Sequence, residues 1–296
     1  MKLVRFAMGG GARIGALAGD AVVDIAAALE RKGSRAAVPQ SMREFLAAGD
    51  VALAAAEEAL SFAADSPDAG VIRSLEQATL LAPVGDPQKI VCIGQNYRDH
   101  CAEQNQPLPE RAIIFAKFPT ALIGTGAPIR LPRISTQVDY EAELAFVIGR
   151  RGKEIPESEA RRYVAGYMCL NDVSARDIQF SDKQWVRGKT FDTFAPTGPA
   201  LVTADEIPDP HALDISLTLN GQVMQRSNTS NLIFGVWHLV SYLSQVFTLE
   251  PGDIVTTGTP GGVGIFRNPP VLLKPGDTVS VTIQGLGTLT NPVVGA

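Results

Sequence analysis

The sequence predicts an α+β chain that is rich in strands, in which a mixed sheet or sandwich carries only a few helices. Short apolar and β-branched runs are separated by turn residues, and the chain holds 28 glycines and 20 prolines. Helical patterns are few and do not alternate regularly with the strands, which argues against repeated βαβ units. A small N-terminal α+β domain is predicted at residues 1–80 and a larger domain at residues 81–296.

Composition and charge exclude several functional classes. The 296-residue chain is 45% hydrophobic and 19% charged, with a formal net charge of -5. It has no dense basic run, which argues against nucleic acid or an anionic membrane as a partner. Its N-terminus lacks the apolar segment of a secretory signal, and no apolar run is long enough to cross a bilayer. The three scattered cysteines indicate reduced thiols, so we expect a cytoplasmic protein.

The predicted N-terminal domain combines short strands with two helices. Ser41 and Glu44 have the spacing of a capping box, in which side chains satisfy the free N–H groups at a helix start. The helix that follows the box is short, and the next one is rich in alanine. No catalytic motif is visible in this part of the chain. The predicted elements are strands at 2–8 and within 12–25, and helices at 41–48 and 51–64.

The predicted larger domain consists of short strands punctuated by turns. Asn220-Gly221, between alternating residues, indicates a two-residue hairpin turn. Pro251 and Pro275 each begin a Pro-Gly-Asp turn that leads into a β-prone run. The predicted elements are strands at 89–93, 112–118, 136–149 and 167–173, and helices at 98–104, 156–165 and 231–245.

One predicted strand carries an acidic pattern. Alternate residues over 138–149 are apolar, whereas Asp139, Glu141 and Glu143 lie on the opposite face. Carboxylates at alternate positions repel one another, and no basic residue lies within the strand. Taken alone, the pattern favours an edge strand with a solvated acidic face. The alternatives are pairing with a base, protonation, or a bound cation.

A second acidic segment supplies a further carboxylate. Asp172 follows an apolar strand, a position from which its side chain can project into a cleft. With Glu141 and Glu143 it would complete three oxygen ligands. Because these segments hold no His or Cys, Mg²⁺ or Mn²⁺ is favoured over zinc, and Ca²⁺ is a further candidate.

Three other segments hold groups suited to catalysis. His100 and Glu103 would share one face of a helix, where the carboxylate could orient the imidazole as a general base for water. Lys189 could stabilise the negative charge of an enolate. The small residues of 256–264 let backbone N–H groups approach an anion. Taken singly, each segment has a plainer interpretation: a surface pair, a solvated lysine and a tight turn.

Together, these motifs follow an order that resembles the fumarylacetoacetate hydrolase family. They are N-Y-R-D-H-x-x-E, D-Y-E-A-E-L-A-F-V-I-G, N-D-V-S-A-R-D, R-G-K-T-F-D-T-F and T-G-T-P-G-G-V-G, and the match runs from about Lys89 to Val294. The resemblance implies a mixed β-sandwich roll of the fumarylacetoacetase type, preceded by the short leader domain of bacterial two-domain members. These members include acylpyruvate hydrolases and 2-hydroxyhepta-2,4-diene-1,7-dioate isomerases, and the resemblance implies a homodimer.

The resemblance also implies roles for residues at matching positions. The expected metal site holds Mg²⁺ or Mn²⁺, and the expected water-activating dyad lies on a mobile lid helix. Asp139 matches no ligand position and is interpreted as a supporting or solvated residue. The residues concerned are the metal ligands Glu141, Glu143 and Asp172, the dyad His100 and Glu103, the enolate-stabilising Lys189, and the substrate-site residues Arg176, Gln179 and Thr259.

The function expected from this resemblance is metal-dependent hydrolysis of a carbon–carbon bond. The substrate would be a 2,4-dioxo acid, such as an acylpyruvate, a fumarylpyruvate or a diketo-deoxy sugar acid, and the products pyruvate and a carboxylic acid. The same residues also suit oxaloacetate decarboxylation or keto–enol tautomerisation, which need no attacking water. A more distant alternative is a metal-stabilised binding protein without catalysis.

Overall fold

The computed structural model describes residues 1–296, and its strands form a large sheet, a smaller sheet and a short ribbon. The strands are β1 (Lys2–Met8), β2 (Gly11–Ala18), β3 (Ala21–Asp24), β4 (Ile72–Ser74), β5 (Leu80–Leu81), β6 (Ile90–Gly94), β7 (Ile113–Lys117), β8 (Leu122–Ile123), β9 (Ile129–Arg130), β10 (Val138–Asp139), β11 (Ala142–Ile148), β12 (Val164–Asn171), β13 (Ser174–Ala175), β14 (Ala195–Thr203), β15 (Asp214–Leu219), β16 (Gln222–Asn228), β17 (Ile254–Thr256), β18 (Thr278–Ile283) and β19 (Gly287–Val294). The β-rich α+β fold class predicted from the sequence is confirmed.

Seven α-helices and several 3₁₀ turns connect these strands. None of the helices is both long enough and apolar enough to cross a membrane. The helices are α1 (Ile25–Lys32), α2 (Met42–Ala47), α3 (Asp50–Asp65), α4 (Arg98–Glu103), α5 (Arg176–Ser181), α6 (Val186–Lys189) and α7 (Val236–Val246). The 3₁₀ turns are Pro67–Ala69, Pro119–Ala121, Glu157–Tyr163, Ala204–Glu206, Thr229–Asn231 and Gly264–Phe266.

The large sheet has twelve strands and includes the N-terminal strands. Its main order is β4-β3-β2-β1-β14-β12-β11-β17-β6-β7, with β5 beside β1 and β8 beside β14. Strand β1 joins it by antiparallel pairing with β14, in which Leu3 lies opposite Leu201. The sheet therefore continues across the predicted domain boundary, and the division into residues 1–80 and 81–296 stays a prediction.

Strand β11 lies in the interior of the large sheet, between β12 and β17. Leu144 and Phe146 belong to the core shared with the five-stranded sheet, whose order is β16-β15-β18-β19-β9. Ala145 and Val147 belong to a second core, shared with α1, α2 and α3. The strand is thus buried on both faces, and the interpretation of an edge strand with a solvated acidic face is wrong.

Several local predictions are confirmed. The Ser41 Oγ accepts a hydrogen bond from the Glu44 N–H at 3.1 Å and caps α2. The turn between β15 and β16 has φ of 53° at Asn220 and 81° at Gly221, the left-handed backbone that a two-residue hairpin requires. The Pro-Gly-Asp turns at Pro251 and Pro275 precede β17 and β18.

The predicted strand over residues 136–149 is interrupted at Tyr140 and Glu141. The interruption has a physical cause, because side chains take the backbone donors that a continuous ladder would use. The Tyr140 N–H donates to the Asp139 carboxylate at 2.9 Å, and the Glu141 N–H donates to Asn171 Oδ1 at 3.0 Å. The break separates β10 from β11.

Two helix predictions need correction, and one helix was missed. Residues 156–165 form a 3₁₀ turn and the start of β12, not an α-helix. The helix predicted from residue 231 begins only at Val236, because the N–H groups of Ile233 and Phe234 donate to the backbone and side chain of Asn96. Helix α1 was not predicted, although Asp24 caps its start by accepting from the Ala27 N–H.

Candidate active site

Three carboxylates converge where β11 begins and β12 ends. These strands are antiparallel neighbours, so Glu141 and Asp172 lie next to each other, and the Asp172 N–H donates to the Glu141 carbonyl at 2.9 Å. Glu143 lies two residues farther along β11. Ligand atoms of the three side chains lie within 4.8 Å of one another, and all three residues are buried.

Two buried lysines contact this acidic cluster. Lys189, at the end of α6, places its Nζ 2.7 Å from Glu141 Oε2 and 2.9 Å from Asp172 Oδ2. Lys117, at the end of β7, donates to Asp172 Oδ1 at 2.5 Å and to the Val173 carbonyl at 3.1 Å. The interpretation of Lys189 as a solvated loop lysine is wrong. Lys117 was not predicted, and its only signal is a lysine at the end of an apolar strand.

Asp139 supports the cluster from behind and is not solvated. It is fully buried and accepts N–H bonds from Gly264 at 2.8 Å and Ile265 at 3.0 Å. Arg176 binds it through Nε at 2.9 Å, and Arg176 Nη2 lies 2.7 Å from Glu141 Oε1. The guanidinium therefore links the supporting carboxylate to a candidate metal ligand.

The carboxylates differ in their electrostatic surroundings. Burial alone would raise the pKa of Glu141, but the charges of Lys189 and Arg176 outweigh burial and lower this pKa to about 2. Burial, followed by the charges of Asp172 and Glu141, raises the pKa of Glu143 well above its ordinary value. Burial disfavours the charged form of Lys189, but the same two carboxylates more than compensate, and its pKa is raised. Lys189 therefore stays an ammonium group.

The cluster fits a hard divalent cation. Its donors are all carboxylate oxygens, which suit Mg²⁺, Mn²⁺ or Ca²⁺ rather than zinc. Four buried carboxylates (Asp139, Glu141, Glu143 and Asp172) face three buried cationic side chains (Lys117, Lys189 and Arg176), so one negative charge lacks a partner. A divalent cation would supply the missing positive charge and keep Glu143 ionised.

The predicted dyad forms within α4. His100 Nδ1 lies 3.1 Å from Glu103 Oε2, and the other carboxylate oxygen of Glu103 accepts from the Gly262 N–H at 2.9 Å. The His100 side chain is only 8% exposed, so the pair is not an ordinary surface pair. The helix is held in place by further hydrogen bonds, including one from Ser227 Oγ to Asp99.

The candidate groups line one small cavity of about 170 Å³. Four larger grooves on the molecule, of about 930, 650, 490 and 370 Å³, contain none of the predicted site residues. Asp172 and Glu103 lie behind the cavity wall, in contact with Lys189 and His100 respectively. The predicted residues that line it are His100, Glu141, Glu143, Arg176, Gln179, Lys189 and Thr259; among the others are Gln104, Phe115, Phe180, Trp185 and Phe266.

A buried glutamine that was not predicted connects the acidic strand to the glycine-rich loop. Gln225 Oε1 accepts from the Ala142 N–H at 2.8 Å, and its Nε2 donates to Thr259 Oγ1 and to the Pro260 carbonyl, both at 2.8 Å. The same loop also binds Glu143, whose Oε2 accepts from the Gly258 N–H at 2.9 Å. The loop is therefore part of the site and more than a tight turn.

Comparisons with known proteins identify the family of the chain. The family description "Fumarylacetoacetate (FAA) hydrolase C-terminal" matches residues 89–294. A mitochondrial oxaloacetate tautomerase of Xenopus laevis is 52% identical over 259 residues, which cover 87% of this chain and 79% of that protein. Two solved structures cover 100% of both chains: a putative HpcE protein from Mycobacterium smegmatis (35% identity, TM-score 0.84) and a maleylpyruvate hydrolase from Sphingobium (31%, 0.79). The chain belongs to the fumarylacetoacetate hydrolase family.

Proposed function

We propose that this enzyme is a divalent-cation-dependent tautomerase that interconverts the keto and enol forms of oxaloacetate. The observation that carries the proposal is the buried cluster of three carboxylates and Lys189, which meets His100 across a single cavity. The 52% identity to an oxaloacetate tautomerase supports this reaction over the hydrolysis that the sequence favoured.

The size of the cavity supports a small substrate. Pockets for drug-sized ligands have volumes of roughly 300–1,000 Å³, whereas this one has about 170 Å³. Phe180 and Phe266, whose ring centroids are 6.5 Å apart, form part of its lining. A four-carbon 2-oxo acid suits this space better than a fumarylpyruvate or a sugar acid.

Different residues of the chain have different roles in tautomerisation. Glu141, Glu143 and Asp172 would hold the cation, which supplies Lewis-acid stabilisation of negative charge when bound. Lys189 stays protonated between two of these carboxylates, so it can stabilise an enolate but cannot accept a proton. His100, oriented by Glu103, would take the proton from carbon 3 of the keto acid at its Nε2 and deliver it to the enolate oxygen, and would move it the opposite way when the enol is ketonised.

Hydrolysis of a 2,4-dioxo acid is a second candidate function. The contact of 3.1 Å between His100 Nδ1 and Glu103 favours it, because a carboxylate-oriented imidazole can activate water. The similarity to a maleylpyruvate hydrolase also supports it. Both candidates use the same metal ligands and Lys189.

A substrate panel separates the candidates. Enol decay and pyruvate release would be followed with oxaloacetate, and carbon–carbon cleavage with acylpyruvates, fumarylpyruvate and diketo-deoxy sugar acids. Each reaction would be run with Mg²⁺, Mn²⁺ or Ca²⁺ and after chelation. The proposal expects the highest kcat/KM for oxaloacetate enol decay. A higher kcat/KM for acylpyruvate cleavage would refute it in favour of hydrolysis.

Two other predictions from the sequence are kept as proposals. We expect a homodimer, which sedimentation velocity would detect as a mass twice that of the 31.4 kDa chain. We also keep the cytoplasmic location, although the names of the relatives from Xenopus laevis and Bos taurus place those proteins in mitochondria. Cell fractionation would distinguish the two compartments.

A further inference from the structure

Both ring nitrogens of His100 are occupied by side chains from the end of its own helix. Nδ1 lies 3.1 Å from Glu103 Oε2, and Nε2 lies 2.8 Å from the side-chain amide nitrogen of Gln104. Because a carboxylate only accepts hydrogen bonds, Nδ1 carries the proton. Nε2 then holds the lone pair, and the Gln104 amide donates to it. The atom that must accept a proton from the substrate is therefore covered.

Gln104 differs from Glu103 in how firmly it is held. Glu103 is fixed by the Gly262 N–H at 2.9 Å, whereas the side chain of Gln104 has its hydrogen bond to His100 alone. Gln104 is the C-cap residue of α4 and only partly buried, and the next residue, Asn105, already has a φ of 51°. The amide can therefore rotate away from Nε2 without unfolding the helix.

The cationic donors of the cavity are already engaged. Arg176 is bound by Asp139 and Glu141, and Lys189 by Glu141 and Asp172. The Gln104 amide faces the same cavity and is held only by a neutral ring nitrogen. A carboxylate is a stronger acceptor than an imidazole, since hydrogen bonds to ionised groups are about twice as strong as neutral ones.

We propose that Gln104 is a specificity-determining residue that covers His100 Nε2 until a substrate with a distal carboxylate draws its amide away. The distal carboxylate of a small 2-oxo diacid accepts the hydrogen bond from Gln104, and Nε2 becomes free for proton transfer. A 2-oxo acid without this group leaves the amide on Nε2 and reacts slowly. The inference rests on the proposed function and extends it to substrate selection.

The test compares oxaloacetate with 2-oxobutyrate, which has four carbons but no distal carboxylate. The reaction of oxaloacetate is followed by enol decay. The reaction of 2-oxobutyrate is followed by exchange of its carbon-3 hydrogens with deuterated solvent. We expect Gln104→Met to raise KM for oxaloacetate about 10- to 100-fold, the effect of losing one hydrogen bond to a charged group. We expect the same variant to exchange 2-oxobutyrate faster than the parent enzyme, because the amide no longer covers Nε2. Gln106→Met, at an exposed position two residues on, is the matched control and should change neither.

A second readout does not depend on the substrate. The chain has three histidines, so the imidazole ¹⁵N signals of His100 can be assigned by comparison with His100→Ala. We expect Gln104→Met to shift the Nε2 signal of the metal-free enzyme and to leave the Nδ1 proton in place. An unshifted Nε2 signal, or equal losses with both substrates, would overturn the inference. If the parent enzyme does not act on oxaloacetate but the signal shifts, the proposed function fails while the contact between Gln104 and His100 stands.

Discussion

Replacing Lys189 by methionine tests whether its ammonium group stabilises the buried carboxylate cluster when no divalent cation is bound. The Lys189 side chain binds Glu141 at 2.7 Å and Asp172 at 2.9 Å, and all three residues are buried. Methionine has a similar length but no charge, so Lys189→Met leaves two buried carboxylates without this partner. We expect the variant to be less stable without metal and to regain stability when a divalent cation binds.

The size of the effect can be derived in two ways. Removing one partner of a buried ion pair typically costs about 3–5 kcal/mol. The pKa of Glu141 falls from an ordinary 4.5 to about 2, and Lys189 is its largest favourable influence; this difference corresponds to roughly 3 kcal/mol. Because the folded pKa is depressed, that stabilisation is present above pH 4.5 and is lost as the pH falls toward 2. The free energy of unfolding of Lys189→Met should therefore change much less than that of the parent as the pH falls from 4.5 toward 2.

Urea denaturation at neutral pH, with and without Mn²⁺, measures both parts of this prediction. We expect a loss of about 3 kcal/mol in chelator and a gain of about 2.7 kcal/mol at a Mn²⁺ concentration 100 times Kd. Lys153→Met is the matched control, since this exposed lysine only caps the Gln245 carbonyl, and it should stay within about 0.5 kcal/mol of the parent. An unchanged stability of Lys189→Met in chelator would refute the reasoning.

Four more predictions concern the same site. Glu143→Gln should lose Mn²⁺ binding in calorimetry and cost little stability in chelator, because burial and the charges of Asp172 and Glu141 raise the pKa of Glu143 and so disfavour its charged form; undiminished binding would remove Glu143 from the ligand set. For the same reason, Mn²⁺ binding to the parent enzyme should release protons and weaken as the pH falls, which calorimetry in buffers of different ionisation enthalpy would detect. His100→Ala should slow enol decay about 10²- to 10⁴-fold with unchanged Mn²⁺ affinity, and full activity would dismiss it as the base. Gln225→Leu should lower the free energy of unfolding by about 1–3 kcal/mol, since the buried Ala142 N–H loses its partner; a urea midpoint equal to that of the parent would contradict this.

The candidate ligands could be read from the sequence because two local patterns carry them. Glu141 and Glu143 lie two residues apart at the start of a strand, and Asp172 follows the end of the next long strand. The burial of these residues could not be read in the same way. From residue 144 onward both faces of β11 are apolar, which is typical of an interior strand, but the acids before it suggested a solvated face.

Residues that act across long chain separations escaped the sequence analysis. Lys117 reaches Asp172 across 55 positions, and Gln225 reaches Ala142 across 83. A lysine or glutamine inside a strand pattern has no local signature for such a partner. The pairing of β1 with β14, nearly 200 residues away, is equally hidden, because register between distant strands depends on the assembled sheet.

Short-range chemistry was predicted better than element boundaries. The i,i+3 spacing of His100 and Glu103 predicted their contact, and the position of Ser41 predicted the cap of α2. The start of α7 was placed too early because the side chain of Asn96, far away in sequence, takes the Phe234 N–H. Tertiary hydrogen bonds of this kind override local helical preference.

Stopped-flow measurement of oxaloacetate enol decay, with Mn²⁺ and after chelation, tests the central claim most directly. The buried carboxylate cluster and Lys189 predict a large acceleration over the spontaneous reaction that disappears with the metal and returns when Mn²⁺ is restored. An enol decay rate equal to the spontaneous one in the presence of Mn²⁺, or an acceleration that survives complete removal of metal, would contradict the account.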